Sequence, residues 1–371
     1  MTFSMVMVPF NSILPEMTQD YKERISFTGT RVIFSVASSV ISGVLPKIII
    51  NRFGGNIKQG YLVMAMIFGA VYGLAWLIVF FGTWEQKGAG ENVNGGNILK
   101  ELSTVFNNKC FRMHAGLFIC GQTAVDFTTT LFIYYLTVCL NREKEFSMIL
   151  GTLLISQLIF TPIHTKISKK YTKTTPIKFG FVIWAITLLS SLLLTPGSPK
   201  YLIYVIAALC GIGSAASVLV PWSILPEVVD VDELITSKRR EGVYAGMATF
   251  LRKIANGISI GIIGFILQLI GYVKPEQAGV YVQQSSFTTN GIRILFGIVP
   301  IIFMILAMYF ARRYPVTEEK YNVLISEISR RKNNKGTSGS DNKVKVICEE
   351  LTGIKFGSLW GKNSNDSKKT M

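Results

Sequence analysis

Several long apolar stretches restrict what this chain can fold into more than any other feature of its sequence. A helix needs about 20 mostly apolar residues to cross the hydrocarbon core of a bilayer. Candidate spans cover residues 25–50, 61–81, 111–140, 146–165, 177–194, 201–225, 242–272 and 291–310, and residues 2–14 have the pattern of the end of a ninth helix. Only 16% of the residues are charged, against 49% apolar, too few charges for an ordinary soluble surface. The sequence therefore predicts an all-α polytopic membrane protein with about nine transmembrane segments.

The net charge of +16 reflects membrane topology rather than nucleic-acid binding. When the nine segments are threaded through a bilayer, one set of connections holds the basic clusters at 22–24, 100–112, 166–178, 238–240 and after 312. The opposite connections hold only scattered Lys and Arg residues. Basic residues concentrate on the cytoplasmic side of membrane proteins. We therefore predict a multi-pass protein of the inner or plasma membrane, surrounded by lipid, with a cytoplasmic C-terminus and no nucleic-acid partner.

Two nearly identical phrases indicate that the chain is built from duplicated halves. VPFNSILPE occupies residues 8–16 and VPWSILPE residues 220–227, so that Ser12 and Ser223 lie 211 positions apart. This offset is far longer than the period of a solenoid or propeller. The second phrase ends the fourth of six segments, so the first phrase is expected to end the fourth segment of a matching half. That half would lack roughly 100 residues, or about three helices, at its N-terminus.

The predicted domain organisation follows from this repeat. Residues 1–82 are the last three helices of an N-terminal six-helix half, and residues 83–110 are a cytoplasmic linker with a surface helix at 98–106. Residues 111–313 form the C-terminal six-helix half, and residues 314–371 form a cytoplasmic tail. The tail begins amphipathic and becomes rich in Lys, Asn, Gly and Ser, so we expect it to be weakly ordered.

Four stretches carry a resemblance to a known family. They are VPFNSILPEMTQDYKERISFTGTR, PWSILPEVVDVDELITSKRREGVYAGMATFLRKIANG, GFILQLIGY and RRYPVTEEKYNVLISEI, which lie between residue 8 and about residue 328. Together they resemble the glycoside–pentoside–hexuronide:cation symporter family, the melibiose permease-like group of the major facilitator superfamily. The resemblance implies two six-helix bundles that rock around a central cavity. It also implies Na⁺- or H⁺-coupled symport of a small-molecule sugar, glycoside or hexuronide.

The sequence shows none of the patterns that would indicate an enzyme. No nucleophile–base pair, phosphate-binding loop or metal-ligand spacing occurs, and the five cysteines form no CxxC pair. We therefore predict a transporter that is not an enzyme. It is expected to act as a monomer, with no metal site and no cofactor beyond the coupling ion.

Charged residues within apolar spans are the first candidate site residues, because each is costly in hydrocarbon and usually faces a cavity or a partner. Asp126 lies deep in its span and is predicted to bind a cation, a proton or sugar hydroxyls; the alternative is a structural ion pair with a basic residue. By the resemblance, Lys253 matches a family lysine tied to cation and sugar coupling, and Arg31 matches the family's arginine on the fifth helix. The functional interpretation of Arg31 is a guanidinium that binds sugar hydroxyls or a hexuronate carboxylate. Arg252 points about 100° away from Lys253 around the helix and is expected to snorkel to the membrane surface or to form a structural ion pair. Arg31 also lies within snorkelling reach of the membrane surface.

Polar and aromatic residues near these charges complete the predicted binding site. Asn11 and Trp222 occupy the two repeated phrases, where Trp222 could stack on a sugar ring or anchor a helix end at the membrane interface. Gln122 and Tyr134 share the helix of Asp126 and are predicted to line the cavity, with core packing as the alternative for Tyr134.

A second set of residues is predicted to hold the transporter shut on its cytoplasmic side. The acids are expected in two equivalent loops beside basic residues, because Pro15 and Pro226 should end the preceding helices. Salt-bridged latches that break when the halves rock are the functional interpretation, and solvated loop charge is the alternative. The predicted latch residues are Glu16, Asp20, Arg24, Glu227, Asp230, Asp232, Arg239 and Arg240.

The sequence departs from the resembled family in its coupling residues. The family's sodium-site carboxylates lie on the early helices that the repeat predicts to be missing here, and Met7 stands where melibiose permease-like members carry an aspartate two residues before the proline. Three alternatives follow for the coupling of transport to a cation. Asp126 takes over the role of the missing carboxylates, the coupling ion is a proton, or this chain does not couple transport to a cation at all. Two other functions therefore stay open: a lysophospholipid symporter with a wide apolar cavity, and a non-transporting fragment or sensor.

Overall fold

The nine predicted segments are all helices in the structure. The computed structural model describes residues 2–53, 57–83, 104–274, 282–333 and 341–360, and no β-strand occurs within these ranges. The helices are α1 (Thr2–Met17), α2 (Tyr21–Asn51), α3 (Ile57–Gly82), α4 (Lys109–Tyr134), α5 (Phe146–Lys170), α6 (Thr175–Ser191), α7 (Lys200–Thr236), α8 (Glu241–Leu269) and α9 (Ser286–Arg313). Two more helices follow, α10 (Glu318–Lys332) and α11 (Asn342–Thr352). The fold is all-α, as predicted.

Seven of the described helices are long and apolar enough to cross a membrane by themselves, and they are α2–α5 and α7–α9. α6 is a shorter apolar helix, and α1 has 16 residues. None of the residues in the most apolar stretch of α3 is buried inside the protein, whereas two thirds of the residues in the corresponding stretch of α7 are buried. α7 is therefore the central helix, against which α4, α5 and α6 pack.

The prolines of the repeated phrases do not end their helices, so this prediction is wrong. α1 continues through Pro15 to Met17, and α7 runs for 37 residues through both Pro221 and Pro226. A proline cannot donate to the carbonyl four residues earlier, and that carbonyl needs another donor. Gln122 Nε2 on α4 donates to the Ser217 carbonyl at 2.9 Å, the one that Pro221 leaves free. Glu227, Asp230 and Asp232 consequently lie on the last turns of α7 rather than in a loop.

Close helix contacts join the N-terminal group α1–α3 to the C-terminal group α4–α9. α2 packs along α5, and α1 packs along α8. At the α2–α5 crossing, a Cβ atom added to Gly29 would lie only 2.5 Å from Thr165 Oγ1. The absence of a side chain at residue 29 therefore sets how closely the two groups approach.

The described part of the tail is helical and packed, which corrects the expectation of weak order for residues 314–333 and 341–360. α11 lies against the start of α4, where Lys109 Nζ donates to the Glu350 carbonyl at 3.0 Å and Cys110 Sγ lies 3.2 Å from the Leu351 carbonyl oxygen. The Trp360 amide donates to the Leu234 carbonyl at 3.0 Å. Most of the predicted surface helix at 98–106 lies outside the described residues.

Candidate functional site

Arg31 lies at the centre of a polar and aromatic cluster between the two helix groups. Its guanidinium is 4.7 Å from the ring centroid of Phe10 and 5.0 Å from that of Trp222, so it lies near two aromatic rings. Arg31 Nη2 also donates a hydrogen bond to Asn11 Oδ1. Asn11 Nδ2 in turn lies 3.5 Å from Thr249 Oγ1 on α8. Three residues predicted for binding, Arg31, Asn11 and Trp222, are thus brought together.

Asp126 forms a bidentate ion pair with Arg252, in line with the structural alternative that the sequence offers for both residues. Arg252 Nη1 and Nη2 donate to the two carboxylate oxygens of Asp126 at 2.6 and 2.8 Å. The pair joins α4 to α8, and the Asp126 side chain is almost completely buried. Two charges at this depth stabilise each other because each is costly alone in a medium of low dielectric.

The ion pair and the Arg31 cluster are neighbours along one face of α8. Residues three apart on a helix lie on the same face, one turn from each other. Thr249 and Arg252 have this spacing, so polar groups run from Arg31 through Asn11 and Thr249 to Arg252 and Asp126. We call these five residues the mid-span cluster. Its members come from α1, α2, α4 and α8, which belong to both helix groups.

The other predicted binding residues lie outside this cluster. Gln122 is buried and donates to the Ser217 carbonyl that Pro221 leaves free, so its amide has a structural partner on α7. Tyr134 is the last residue of α4, and its ring packs edge-on against that of Tyr272 with 5.2 Å between the ring centroids. Lys253 follows Arg252 on α8, and its side chain is exposed on the protein surface.

A second group of charges, which we call the interlock, joins the helix groups at the end of the bundle where the tail packs. Arg24 on α2 pairs with Asp230 on α7, and both side chains are fully buried. Arg24 Nε donates to the Thr18 carbonyl at 2.7 Å, and Nη1 donates to the Tyr321 hydroxyl at 2.7 Å. The Tyr321 hydroxyl lies 2.9 Å from Asp230 Oδ2 and 3.0 Å from the Gln19 carbonyl oxygen. One buried ion pair and one tail tyrosine therefore connect α2, α7 and α10.

The remaining predicted latch residues have different partners, most of them within the C-terminal group. Arg240 grips both carboxylate oxygens of Asp232 at 2.5 and 2.7 Å. Arg239 pairs with Glu233 at 3.0 Å and Glu241 at 2.5 Å, and its guanidinium lies 4.0 Å from Asp230 Oδ1. Asp20 caps α2 by accepting from the Glu23 amide at 2.7 Å, and the side chain of Glu16 lies outside the described residues.

Lys173, which the sequence analysis did not single out, neutralises Glu227. Its Nζ lies 2.6 Å from Glu227 Oε1, donates to the Ser223 carbonyl at 3.1 Å, and lies 4.2 Å from the ring centroid of Tyr21. Tyr314 donates to Glu227 Oε2 at 2.8 Å. Burial lowers the pKa of Lys173 against the opposing pull of Glu227, and burial together with that carboxylate raises the pKa of Tyr314. Tyr314 therefore remains a hydrogen-bond donor.

A resident metal site is not evident where the structure is described. No cluster of three or more His, Cys, Asp or Glu side chains occurs among those residues. His114 and His164 each contact a carbonyl of α7, of Pro221 at 3.0 Å and of Ile212 at 2.9 Å. The chemistry that the site offers is ionic and aromatic binding.

Comparison with curated proteins places the chain among symporters. It is 27% identical over 243 residues to an uncharacterized symporter of Synechocystis sp., covering 64% of this chain and 44% of that protein. The uncharacterized symporter YnaJ of Bacillus subtilis is 24% identical over 339 residues, covering 89% and 71%. The sodium-dependent lysophosphatidylcholine symporter 1-A of Danio rerio is 26% identical over 274 residues, covering 71% and 49%. The chain spans about half the length of the first and third of these relatives.

The helical arrangement also matches a solved transporter. The crystal structure of the Escherichia coli fucose:proton symporter superposes with a TM-score of 0.60 at 13% identity, covering 84% of this chain and 74% of that one. This likeness confirms the predicted major facilitator fold. A family model described as MFS/sugar transport protein matches residues 1–318. The chain is therefore a multi-pass membrane protein that belongs to the MFS/sugar transport protein family of major facilitator symporters.

Proposed function

We propose that this protein carries out cation-coupled symport of a sugar, glycoside or hexuronide by alternating access. The observation that carries the proposal is the mid-span cluster, in which both helix groups contribute polar side chains around Arg31. In proteins built from repeated halves, substrates bind near the membrane midplane at the interface of the halves. The family supports transport of a small molecule across a membrane, and the choice of sugar and of Na⁺ or H⁺ is our proposal.

The side chains around Arg31 suit a hydroxylated or carboxylated ring. A guanidinium presents a planar fork of donors that matches a carboxylate or a pair of hydroxyl oxygens. Trp222 and Phe10 offer aromatic surface against which the apolar face of a sugar can pack. Asn11 supplies both a donor and an acceptor. Asp126 is the proposed carboxylate for the coupling cation.

The interlock supports a closed state on one side of the membrane. The region around it is rich in Lys and Arg, so we propose that this is the cytoplasmic side of the cell membrane and that the tail is cytoplasmic. Opening towards that side must separate α2 from α7 and so break the Arg24–Asp230 pair. The described conformation is then the one in which substrate is sealed from the cytoplasm.

A lysophospholipid is the second candidate substrate. Relatives named as sodium-dependent lysophosphatidylcholine symporters support it. α8 also exposes two apolar side chains, Phe250 and Ile254, on the face away from Arg252, where an acyl chain would contact them.

Transport in proteoliposomes tests the proposal. The full-length protein would be reconstituted and offered labelled phenyl β-D-glucoside, phenyl β-D-glucuronide or lysophosphatidylcholine, under a Na⁺ gradient or a pH gradient. Accumulation of a glycoside that requires one gradient, and that is lost in Arg31→Gln but kept in the matched control Arg312→Gln, supports sugar symport. Accumulation of the lysolipid alone favours the second candidate. No accumulation of any of the three would contradict both candidates and favour a non-transporting role.

A further inference from the structure

Arg252 occupies the position that a coupling cation would need. Its two terminal nitrogens hold both carboxylate oxygens of Asp126 at 2.6 and 2.8 Å. We propose that Arg252 is an internal counter-cation that the coupling cation displaces from Asp126, and that the released guanidinium then joins Arg31 in binding an anionic group of the substrate. This inference rests on the proposed symport function and names the substrate class as anionic.

The exchange keeps the charge at Asp126 balanced. A buried carboxylate is stable when an opposite charge or a proton neutralises it, and costly when it is left alone. Arg252 supplies that charge in the described state, and Na⁺ or H⁺ would supply it after the exchange. Because the Asp126 side chain is only 8% exposed and both of its carboxylate oxygens are occupied, the cation and Arg252 compete for the same atoms.

Arg252 has both the space and the direction to reach the substrate site. Its side chain is 29% exposed, far more than that of its partner. Thr249 lies one turn away on the same face of α8 and contacts Asn11, which is bonded to Arg31. A change in the side-chain torsions of Arg252 therefore moves its charge along α8 towards Arg31, without movement of the helix.

The released arginine would select for a negatively charged substrate. Two guanidinium groups bind a carboxylate or a phosphate with charge-assisted hydrogen bonds, which are stronger than neutral ones. A neutral sugar would leave the released Arg252 without a counter-charge, and a buried unpaired charge is costly. Cation binding thus favours anion binding, and by linkage the anion favours the cation. This reciprocity would couple transport of the anionic substrate to transport of the cation.

Cation binding to the purified protein tests the exchange without any substrate. The melting temperature in detergent would be followed in two titrations, one with NaCl against choline chloride at fixed pH and one with pH in the absence of Na⁺. The wild type should show a saturable shift in one titration. Arg252→Gln should reach its midpoint at a cation activity at least tenfold lower, because the competitor is gone, while Asp126→Asn should show no shift. Arg252→Lys, which keeps a charge but loses the two-pronged grip, should lie between.

The result for Arg252→Gln decides this part of the proposal. A midpoint equal to that of the wild type and of Arg312→Gln would make the Asp126–Arg252 pair a structural link and overturn the exchange. If Arg252→Gln does not fold, Arg252→Lys with an unchanged midpoint overturns it equally.

Ligand binding tests the second half of the proposal. The affinity for phenyl β-D-glucuronide should rise at least tenfold with the cation, and that for phenyl β-D-glucoside should change less. Asp126→Asn should bind the glucuronide with the same affinity with and without the cation. Persistent cation dependence in Asp126→Asn would overturn the coupling. Absence of binding by either glycoside, with the expected cation midpoints, would instead refute the proposed sugar substrate and leave the cation exchange standing.

Discussion

Replacing Arg24 by Gln removes the charge that joins α2 to α7 at the interlock. The side chains of Arg24 and Asp230 are both fully buried, so water does not screen their attraction. Gln at this position is too short and has no charge, and the Asp230 carboxylate would keep the Tyr321 hydroxyl at 2.9 Å and Arg239 at 4.0 Å as its described contacts. The change therefore leaves a buried carboxylate that is only partly neutralised.

The magnitude follows from the cost of breaking such a pair. Removing one partner of a buried ion pair costs about 3–5 kcal/mol. Since Asp230 keeps two weaker partners, the lower end of this range applies here. Opening the interlock hydrates Asp230 and relieves most of that cost, so the ratio of open to closed states should rise by about two orders of magnitude.

Cysteine labelling measures that ratio. Thr28 is fully buried one turn from Arg24 and donates to its carbonyl, so Thr28→Cys in a chain without the five native cysteines reports access from the tail side. We expect a membrane-impermeant maleimide to label it about 100-fold faster in Arg24→Gln. Asp232→Asn is the matched control, because its partner Arg240 lies within the C-terminal group. Equal labelling rates in the Arg24 variant and its parent, at unchanged melting temperature, would refute the role of the interlock as a closure.

Smaller perturbations test the neighbouring contacts. Tyr321→Phe keeps the ring but loses the hydroxyl, so the same labelling should rise by about tenfold, the equivalent of one net hydrogen bond to charged groups. Gly29→Ala should lower the melting temperature in detergent, since overpacking costs about 1–3 kcal/mol, whereas Gly43→Ala, whose Cβ would meet nothing within 4 Å, should not. Gln122→Leu should lower it as well, because a buried carbonyl left without a donor costs about 1–3 kcal/mol. Burial opposes ionisation of Glu327, but hydrogen bonds from two neighbouring arginines outweigh it and lower its pKa. The ion pairs of Glu327 should therefore stabilise α10 fully above the ordinary Glu pKa, and this stabilisation should be lost as the pH falls through the lowered pKa. Faster cleavage of α10 by pepsin as the pH is lowered from 4 to 2 would show this loss.

The helices were predictable from the sequence because their signal is local. Runs of apolar residues and the side on which basic residues gather identify α1–α9 without any tertiary information. The helix ends at Pro15 and Pro226 were mispredicted because the residues around a proline do not show whether another group donates to the carbonyl that it frees. That donor comes from a different helix, as Gln122 shows for Pro221, and no local pattern reveals it.

The candidate site was predictable in part. Arg31, Asn11 and Trp222 were identified, and the structure places them together. Arg252 was set aside because Lys253 carried the family resemblance, although a basic residue next to it in mid-span is just as costly in hydrocarbon. Helix rotation decides which of two adjacent residues meets Asp126, and rotation depends on packing.

Lys173 and Tyr321 show a second limit of the sequence. Both lie outside the spans, in regions that look like solvated loop and tail. Neither the charge of Lys173 nor the hydroxyl of Tyr321 gives a local sign that it reaches into the interior. The acids of α7 could have suggested them, because Glu227 and Asp230 in a buried helix require more opposite charge than their own segment supplies.

The burial of the interlock determines how it responds to the salt concentration of its surroundings. Mobile ions weaken the attraction between charges that they can approach, over a distance of about 8 Å at physiological ionic strength. They can reach the exposed Lys22–Glu318 pair, which spans the same gap, but not Arg24 and Asp230. Salt should therefore weaken the exposed Lys22–Glu318 pair and leave the buried Arg24–Asp230 pair intact, so that the closed state keeps its stability across a wide range of ionic strength.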